Sequence, residues 1–214
     1  MNRCFCGKLG FPAQCLDAAM LLLNSLCRTL FCLLTLLAMP AFSADVAAAR
    51  LSAETVEVDY RNGTYFARLG FFVAASPAVA IEVLTDFNHM AGVVPNLESS
   101  QIVSRRDNVY VVRQRGRASF GPFSFPFESV RQIEVHADGR ILAHALSGTT
   151  KYMRSELRVH SVTGGAHVDY QIEMVPDRWI PSSLGVNFMG HELAEQFSAL
   201  IGEMERRQNM ARVR

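Results

Sequence analysis

Apolar and polar positions alternate from Thr64 to Val73. Tyr65, Ala67, Leu69, Phe71 and Val73 share one face and Phe66, Arg68, Gly70 and Phe72 the other, the two-residue period of a pleated strand. The alternation stops at Ser76-Pro77, a capping hydroxyl followed by a proline at the first helical position. A short amphipathic helix is predicted from there to about Asp86, with Val79, Val83 and Leu84 at helical spacing; Pro95 bars further helix. Glu54 to Tyr60 reads as a preceding strand, and Asn62-Gly63 is the pair preferred by a tight hairpin turn. That turn also explains Asn62-Gly63-Thr64 better than a glycosylation acceptor does.

Beyond Pro95 the pattern predicts strands over Ser100–Ser104, Val109–Phe120, Phe125–His136, Arg140–Ser147, Tyr152–Val162 and Ala166–Val175. They are divided by Arg106-Asp107-Asn108, Gly121-Pro122, Asp138-Gly139, Gly148-Thr149 and Gly164-Gly165. With the Thr64 strand this makes about seven in meander order, which favours an antiparallel sheet. Charge predicts the register of the last hairpin. A turn centred on Thr163-Gly164 sets Arg158 against Asp169 and Arg154 against Glu173 on the solvent side. Met153, Ser155, Leu157 and Val159 then meet Met174, Ile172, Tyr170 and Val168 on the other side. One long helix is predicted from about Ser182 to Arg207. Met189, Leu193, Phe197, Leu200 and Met204 form its stripe, and Glu192, Glu195, Glu203 and Glu205 its opposite side. A lone amphipathic helix against such a sheet implies that the sheet curls around it.

The residues Ala74, Ala75, Ser76, Pro77, Leu84, Asp86, Phe87 and Pro95 have the order x-V-x-A, S/A-P, L-x-D-F/Y and a later proline. In this the chain resembles the START-like (SRPBCC) superfamily, in its polyketide cyclase/dehydrase and coenzyme Q-binding branch, over roughly Glu54 to Arg207. The resemblance implies an α+β helix-grip fold: a curved antiparallel sheet of about seven strands wrapped around a long C-terminal helix, with a short helical segment after the first long strand.

The first residues read as a targeting segment. Arg28 precedes the apolar run Leu30, Phe31, Leu33, Leu34, Leu36, Leu37 and Ala38, and Ala41, Ser43 and Ala44 offer a cleavage site. The run is shorter than the roughly 20 residues that span a bilayer, and Cys27 and Cys32 lack the small preceding residues of a lipid-attachment box. The expected organisation is a signal peptide over 1–44, with Met20 as an alternative start, a linker over 45–53, the domain over 54–209 and a tail over 210–214. All five cysteines (Cys4, Cys6, Cys15, Cys27, Cys32) lie in the leader, so the mature chain has no disulfide or thiol chemistry. A bacterial periplasm is the expected location. Losing Arg3, Lys8, Arg28 and Asp17 turns the formal net charge from +1 to −1. Nucleic acid is not an expected partner.

Several residues invite chemistry. Asp86 ends the short helix and His89 follows three residues later, a candidate acid–base pair or a structural corner. Arg113, Arg115 and Arg117 alternate along one strand; they form a solvated face, unless the register turns Arg113 and Arg115 inward as polar anchors. Trp179-Ile180 before the long helix either plugs the core or forms an apolar lip at a cavity mouth or membrane. His160 and His167 become cross-strand neighbours, but no third metal ligand is evident, and neither a metal nor a cofactor is expected.

A cavity between sheet and helix would be lined by Tyr65, Phe71, Met90, Phe127, Met153, Tyr170, Phe188 and Met189, which suits a hydrophobic ligand. With the resemblance, this leads to an expected exported protein that binds a lipid, quinone or isoprenoid and touches membranes peripherally. The alternatives are a polyketide cyclase or aromatase-like enzyme using the same cavity, and a partner-binding module in envelope assembly.

Overall fold

Eight antiparallel strands form one open sheet in the computed structural model, which describes residues 51–120, 123–178 and 180–213. They are β1 (Glu57–Arg61), β2 (Thr64–Val73), β3 (Leu97–Arg106), β4 (Val109–Phe120), β5 (Phe123–Val135), β6 (Arg140–Gly148), β7 (Thr150–Val162) and β8 (Gly165–Pro176). The order across the sheet is β1-β2-β8-β7-β6-β5-β4-β3. Two helices complete the fold, α1 (Pro77–Thr85) and α2 (Ser182–Arg212). This is the helix-grip arrangement. The leader and Trp179 lie outside the described residues.

The eighth strand is the short β1. It begins at Glu57 because Ala53–Thr55 close into a 3-10 turn instead of extending the strand. Asn62 and Gly63 both have positive φ, 52° and 85°, the backbone that a primed hairpin turn requires. The Ser76 hydroxyl accepts a bond from the Val79 amide at 3.3 Å, and Pro77 opens α1. The β7–β8 register has Arg158 opposite Asp169, Arg154 opposite Glu173 and Leu157 opposite Tyr170, as charge pairing predicts. α2 continues past Arg207 to Arg212 and begins at Ser182, with Pro181 at the N-cap giving no side-chain bond.

α2 lies along β2 and is tied down on that side at intervals. The Tyr65 hydroxyl bonds the Ile180 carbonyl at 3.3 Å, Ser198 Oγ accepts from the Leu51 amide at 2.9 Å, and Gln208 Oε1 accepts from the Ser76 amide at 2.8 Å. Gly185 permits the first contact, since a Cβ there would lie 2.2 Å from the Tyr65 hydroxyl. Toward its C-terminal end Ile201 and Met204 are wholly buried with Val73 and Val168. Each such side chain contributes about 1.5–3 kcal/mol.

Candidate functional site

The β4–β5 pairing decides which side chains enter the space under α2. Val112 faces Arg131, Gln114 faces Ser129, Gly116 faces Phe127 and Tyr110 faces Ile133. Val112 and Ile133 are buried core residues, so Arg131, Ser129 and Phe127 point inward with them. Gly116 makes this possible: a Cβ there would lie 2.7 Å from the Phe127 ring and 2.1 Å from the Asn96 carbonyl.

Arg131 is the one inward-facing cation along β5. Its Nη2 donates to Gln114 Oε1, and Gln114 Nε2 donates to Ser100 Oγ at 3.1 Å. Gln114 and Ser100 are only 7% and 5% exposed, so this relay is a built support. Arg131 Nε is buried without a hydrogen-bond partner. Burial lowers the guanidinium's pKa, which Tyr170 opposes, and a guanidinium stays charged at neutral pH regardless. Burial likewise raises Tyr170, against the pull of Arg131 and a hydrogen bond with Ser155; its hydroxyl is therefore a donor. Arg131 and Tyr170 thus act on each other, and Tyr170 bonds Ser155, a grouping whose chemistry suits an acceptor oxygen.

The side chains around this cluster face inward yet keep partial exposure. Phe127, Ser129, Arg131, Ala145, Ser155, Tyr170, Ile172 and Met174 are all half-buried. Inward residues farther along the same strands, Ile133, Ile141, Leu157, Val159 and Val168, are fully buried. The interior is thus tightly packed at one end, while at the other the inward side chains stay within reach of solvent; that open end is the hollow. At the hollow's end Phe125, 44% exposed, meets Phe188 of α2 edge to face at 5.8 Å. Two grooves of about 610 and 640 Å³ lie on the outer face, but charges line them. Arg68–Glu57, Arg158–Glu156 and His160–Asp169 pair there at 2.7, 2.6 and 3.2 Å, which does not suit an apolar ligand.

The residues named from sequence divide accordingly. Phe127, Tyr170 and Phe188 border the hollow, and Met153 points inward opposite Met174. Tyr65, Phe71, Met90 and Met189 belong to the packed core; Phe71, for example, stacks on Phe197 at 5.5 Å. Arg113 and Arg115 are not inward anchors. Both are exposed on the outer face, where they approach Glu128 Oε1 at 3.9 and 3.1 Å, because Val112, Gln114 and Gly116 take the inner positions. The inner arginine is Arg131, four residues and hence an even number of steps from Phe127, a signal present in the strand's parity. Ile180 is half-buried.

Asp86 and His89 do come together, with His89 Nδ1 2.6 Å from Asp86 Oδ1. The other carboxylate oxygen takes Arg207 Nη2 at 2.6 Å, and Arg207 also reaches Glu203 at 2.6 Å and Glu82 at 2.9 Å. Burial pushes Asp86 upward, but the bonds from Arg207 and His89 outweigh it and hold the carboxyl below its ordinary range. His89 is 79% exposed in its side chain. The group is a clasp between α1 and α2, with both Asp86 oxygens committed. His160 and His167 stand opposite each other on the outer face and both approach Asp169. Among the described residues no group of three His, Cys, Asp or Glu could hold a metal ion.

Glu192 corrects the amphipathic reading of α2. It is 6% exposed rather than on a solvated side, and its Oε1 has no partner. Burial raises its pKa and Glu195 adds to the rise, while His191, Asn96 and the Ser119 backbone work the other way.

An eight-stranded antiparallel sheet gripping one long C-terminal helix has the architecture of a START-like domain. Residues 70–205 match the family described as "Polyketide cyclase / dehydrase and lipid transport", and the chain belongs to it. Among solved structures it is similar to the Zhui aromatase/cyclase from Streptomyces sp. R1128, at 18% identity and a TM-score of 0.56, over 67% of this chain and 95% of that one. A START superfamily protein from Mycobacterium smegmatis shares 12% identity with a TM-score of 0.55, covering 68% and 98% of the two chains. A STAR-related lipid transfer protein from Xanthomonas axonopodis shares 15% at a TM-score of 0.54, covering 70% and 98%. No curated protein sequence matches the chain.

Proposed function

We propose that this protein binds a hydrophobic small molecule with one polar end, such as a lipid, quinone or isoprenoid, in the hollow beneath α2. Arg131 carries the reading. A supported cation with an unpartnered Nε, set among half-buried apolar side chains, is costly without a counterpart, and an acceptor oxygen at the head of an apolar molecule supplies one. The apolar remainder would lie along Phe127, Ile172 and Met174, toward Phe125 and Phe188. The leader pattern supports export to a periplasm, and the sequence pair Trp179-Ile180 would provide peripheral membrane contact during loading.

The test is mass spectrometry of organic extracts from protein purified from its native compartment. A co-purifying amphipathic molecule with an acceptor head is expected. Protein that is consistently empty and takes no apolar fluorescent probe contradicts binding.

A second reading, a cyclase or aromatase-like enzyme, draws on the nearness of Tyr170 to Arg131. An enol carbon of the substrate would add to a carbonyl whose oxygen Arg131 holds, while the Tyr170 phenol protonates the new alkoxide and regains its proton from the enol hydroxyl. Turnover of a poly-β-ketone analogue that is lost in Tyr170→Phe, with binding retained, would favour it.

A further inference from the structure

Among the described residues no carboxylate pairs with Arg131. Arginines that water could hydrate are paired all the same: on the outer face Arg68 meets Glu57 at 2.7 Å and Arg158 meets Glu156 at 2.6 Å. Around Arg131 the neighbours are neutral. Its Nη2 donates to the Gln114 amide, its Nε is buried without a partner, and its charge feels burial and Tyr170. Burial keeps Tyr170 a neutral phenol. Ser129 and Ser155, half-buried on the same inner face, carry no charge. Glu192, the buried acid of α2, answers instead to Glu195, His191, Asn96 and the Ser119 backbone. A charge withdrawn from water and opposed by nothing costs far more than a withdrawn dipole.

We propose that the ligand is an anion, an apolar molecule ending in a carboxylate, and that Gln114 is the residue that reserves Arg131 for it. The proposal rests on the binding reading above and narrows it. Gln114 lies directly against the guanidinium, where an acidic side chain of the same shape would neutralise it from within. The amide orients without neutralising. Ser100 Oγ accepts from Gln114 Nε2 at 3.1 Å, which turns Oε1 toward Arg131. Gln114 and Ser100 are both buried, so the guanidinium is fixed while its charge is left whole. A quinone carbonyl accepts a bond but leaves that charge unopposed. A phosphate monoester, at about −1.5 to −2, brings more charge than a lone guanidinium balances. A carboxylate brings a single charge and a pair of acceptor oxygens that match the guanidinium fork.

Titration of the full chain with cis-parinaric acid and with its methyl ester, which share a hydrocarbon chain and differ in charge, tests this. At neutral pH the wild type should bind the acid at least about tenfold more tightly than the ester. Gln114→Glu keeps the side chain's shape and supplies the missing negative charge. It should weaken binding of the acid about 10- to 100-fold and of the ester less than about threefold, with resistance to urea held or raised. Gln114→Met removes the amide but adds no charge, so the acid should stay favoured there by at least about threefold. Equal affinity of the wild type for acid and ester overturns the anion and leaves the binding reading standing; binding of neither probe removes both. A Gln114→Glu protein that still prefers the acid, or a Gln114→Met protein as indifferent to charge as Gln114→Glu, overturns the role given to Gln114.

Discussion

Near the C-terminal half of α2 the interior is filled: Val73, Val168, Ile201 and Met204 show no exposed surface, and the Phe71 and Phe197 rings stack beside them. Near the N-terminal half the same strands continue with the same inward alternation. There they present Ser129, Arg131, Ser155, Ile172 and Met174, all half-buried. The β5–β6 pairing shifts register between Val130 and Arg131, and the side chains change from space-filling aliphatics to small, polar and flexible ones. One sheet thus carries a stabilising core and a more open end in sequence along its strands. The Arg207 clasp lies beside the core.

Truncation should separate the halves most sharply. Phe197→Ala in the core should cost about 3–5 kcal/mol in urea unfolding, by transfer and cavity terms together, whereas Phe127→Ala, which borders space already unfilled, should cost under about 2 kcal/mol. Equal losses would mean that the hollow is as tightly packed as the core. Next in size is the clasp. Arg207→Ala leaves Asp86 and Glu203 without their cation and should cost about 1–3 kcal/mol. Because Asp86 and Glu203 are both held below their ordinary range, their contribution is present above the unfolded carboxylate pKa and is lost as pH falls through the folded one. Thermal melts below about pH 4 should therefore drop steeply in the wild type, and less steeply in Asp86→Asn. Parallel acid limbs would remove Asp86 from the clasp. The smallest effect belongs to the outer face, where Arg113→Ala and Arg115→Ala should each stay within about 0.5 kcal/mol and leave probe binding as it was; a loss of binding in either would reverse the assignment of faces on β4.

Most of the architecture was readable because it rests on local patterns. The Ser76-Pro77 cap, the Asn62-Gly63 turn and the charge pairs across β7–β8 each depend on residues close in sequence or directly opposed. The site was less readable for a topological reason. Arg113, Arg115 and Arg117 form a conspicuous row, but a row of like charges one face wide belongs on the side with water. The functional arginine stands alone among Phe127, Ser129 and Ile133, where only the parity of β5 shows it. The apolar stripe puts Glu192 on the solvated side because it assumes one buried side, and a helix gripped by a curled sheet has two. Tyr65 and Phe71 were assigned to the cavity by their chemistry, which core and lining share; the difference lies in how far neighbouring strands fill the space.

The central claim is that the hollow receives an apolar molecule whose polar head is held by Arg131. Titration of wild type and Arg131→Met with a fluorescent long-chain carboxylate tests it most directly, with urea unfolding of both proteins as the control for folding. The account predicts one-to-one binding by the wild type and affinity about 10- to 100-fold weaker in the variant, the loss of a charge-assisted hydrogen bond of about 1.5–3 kcal/mol, with stability held or slightly raised. Equal affinity in two equally folded proteins would contradict it.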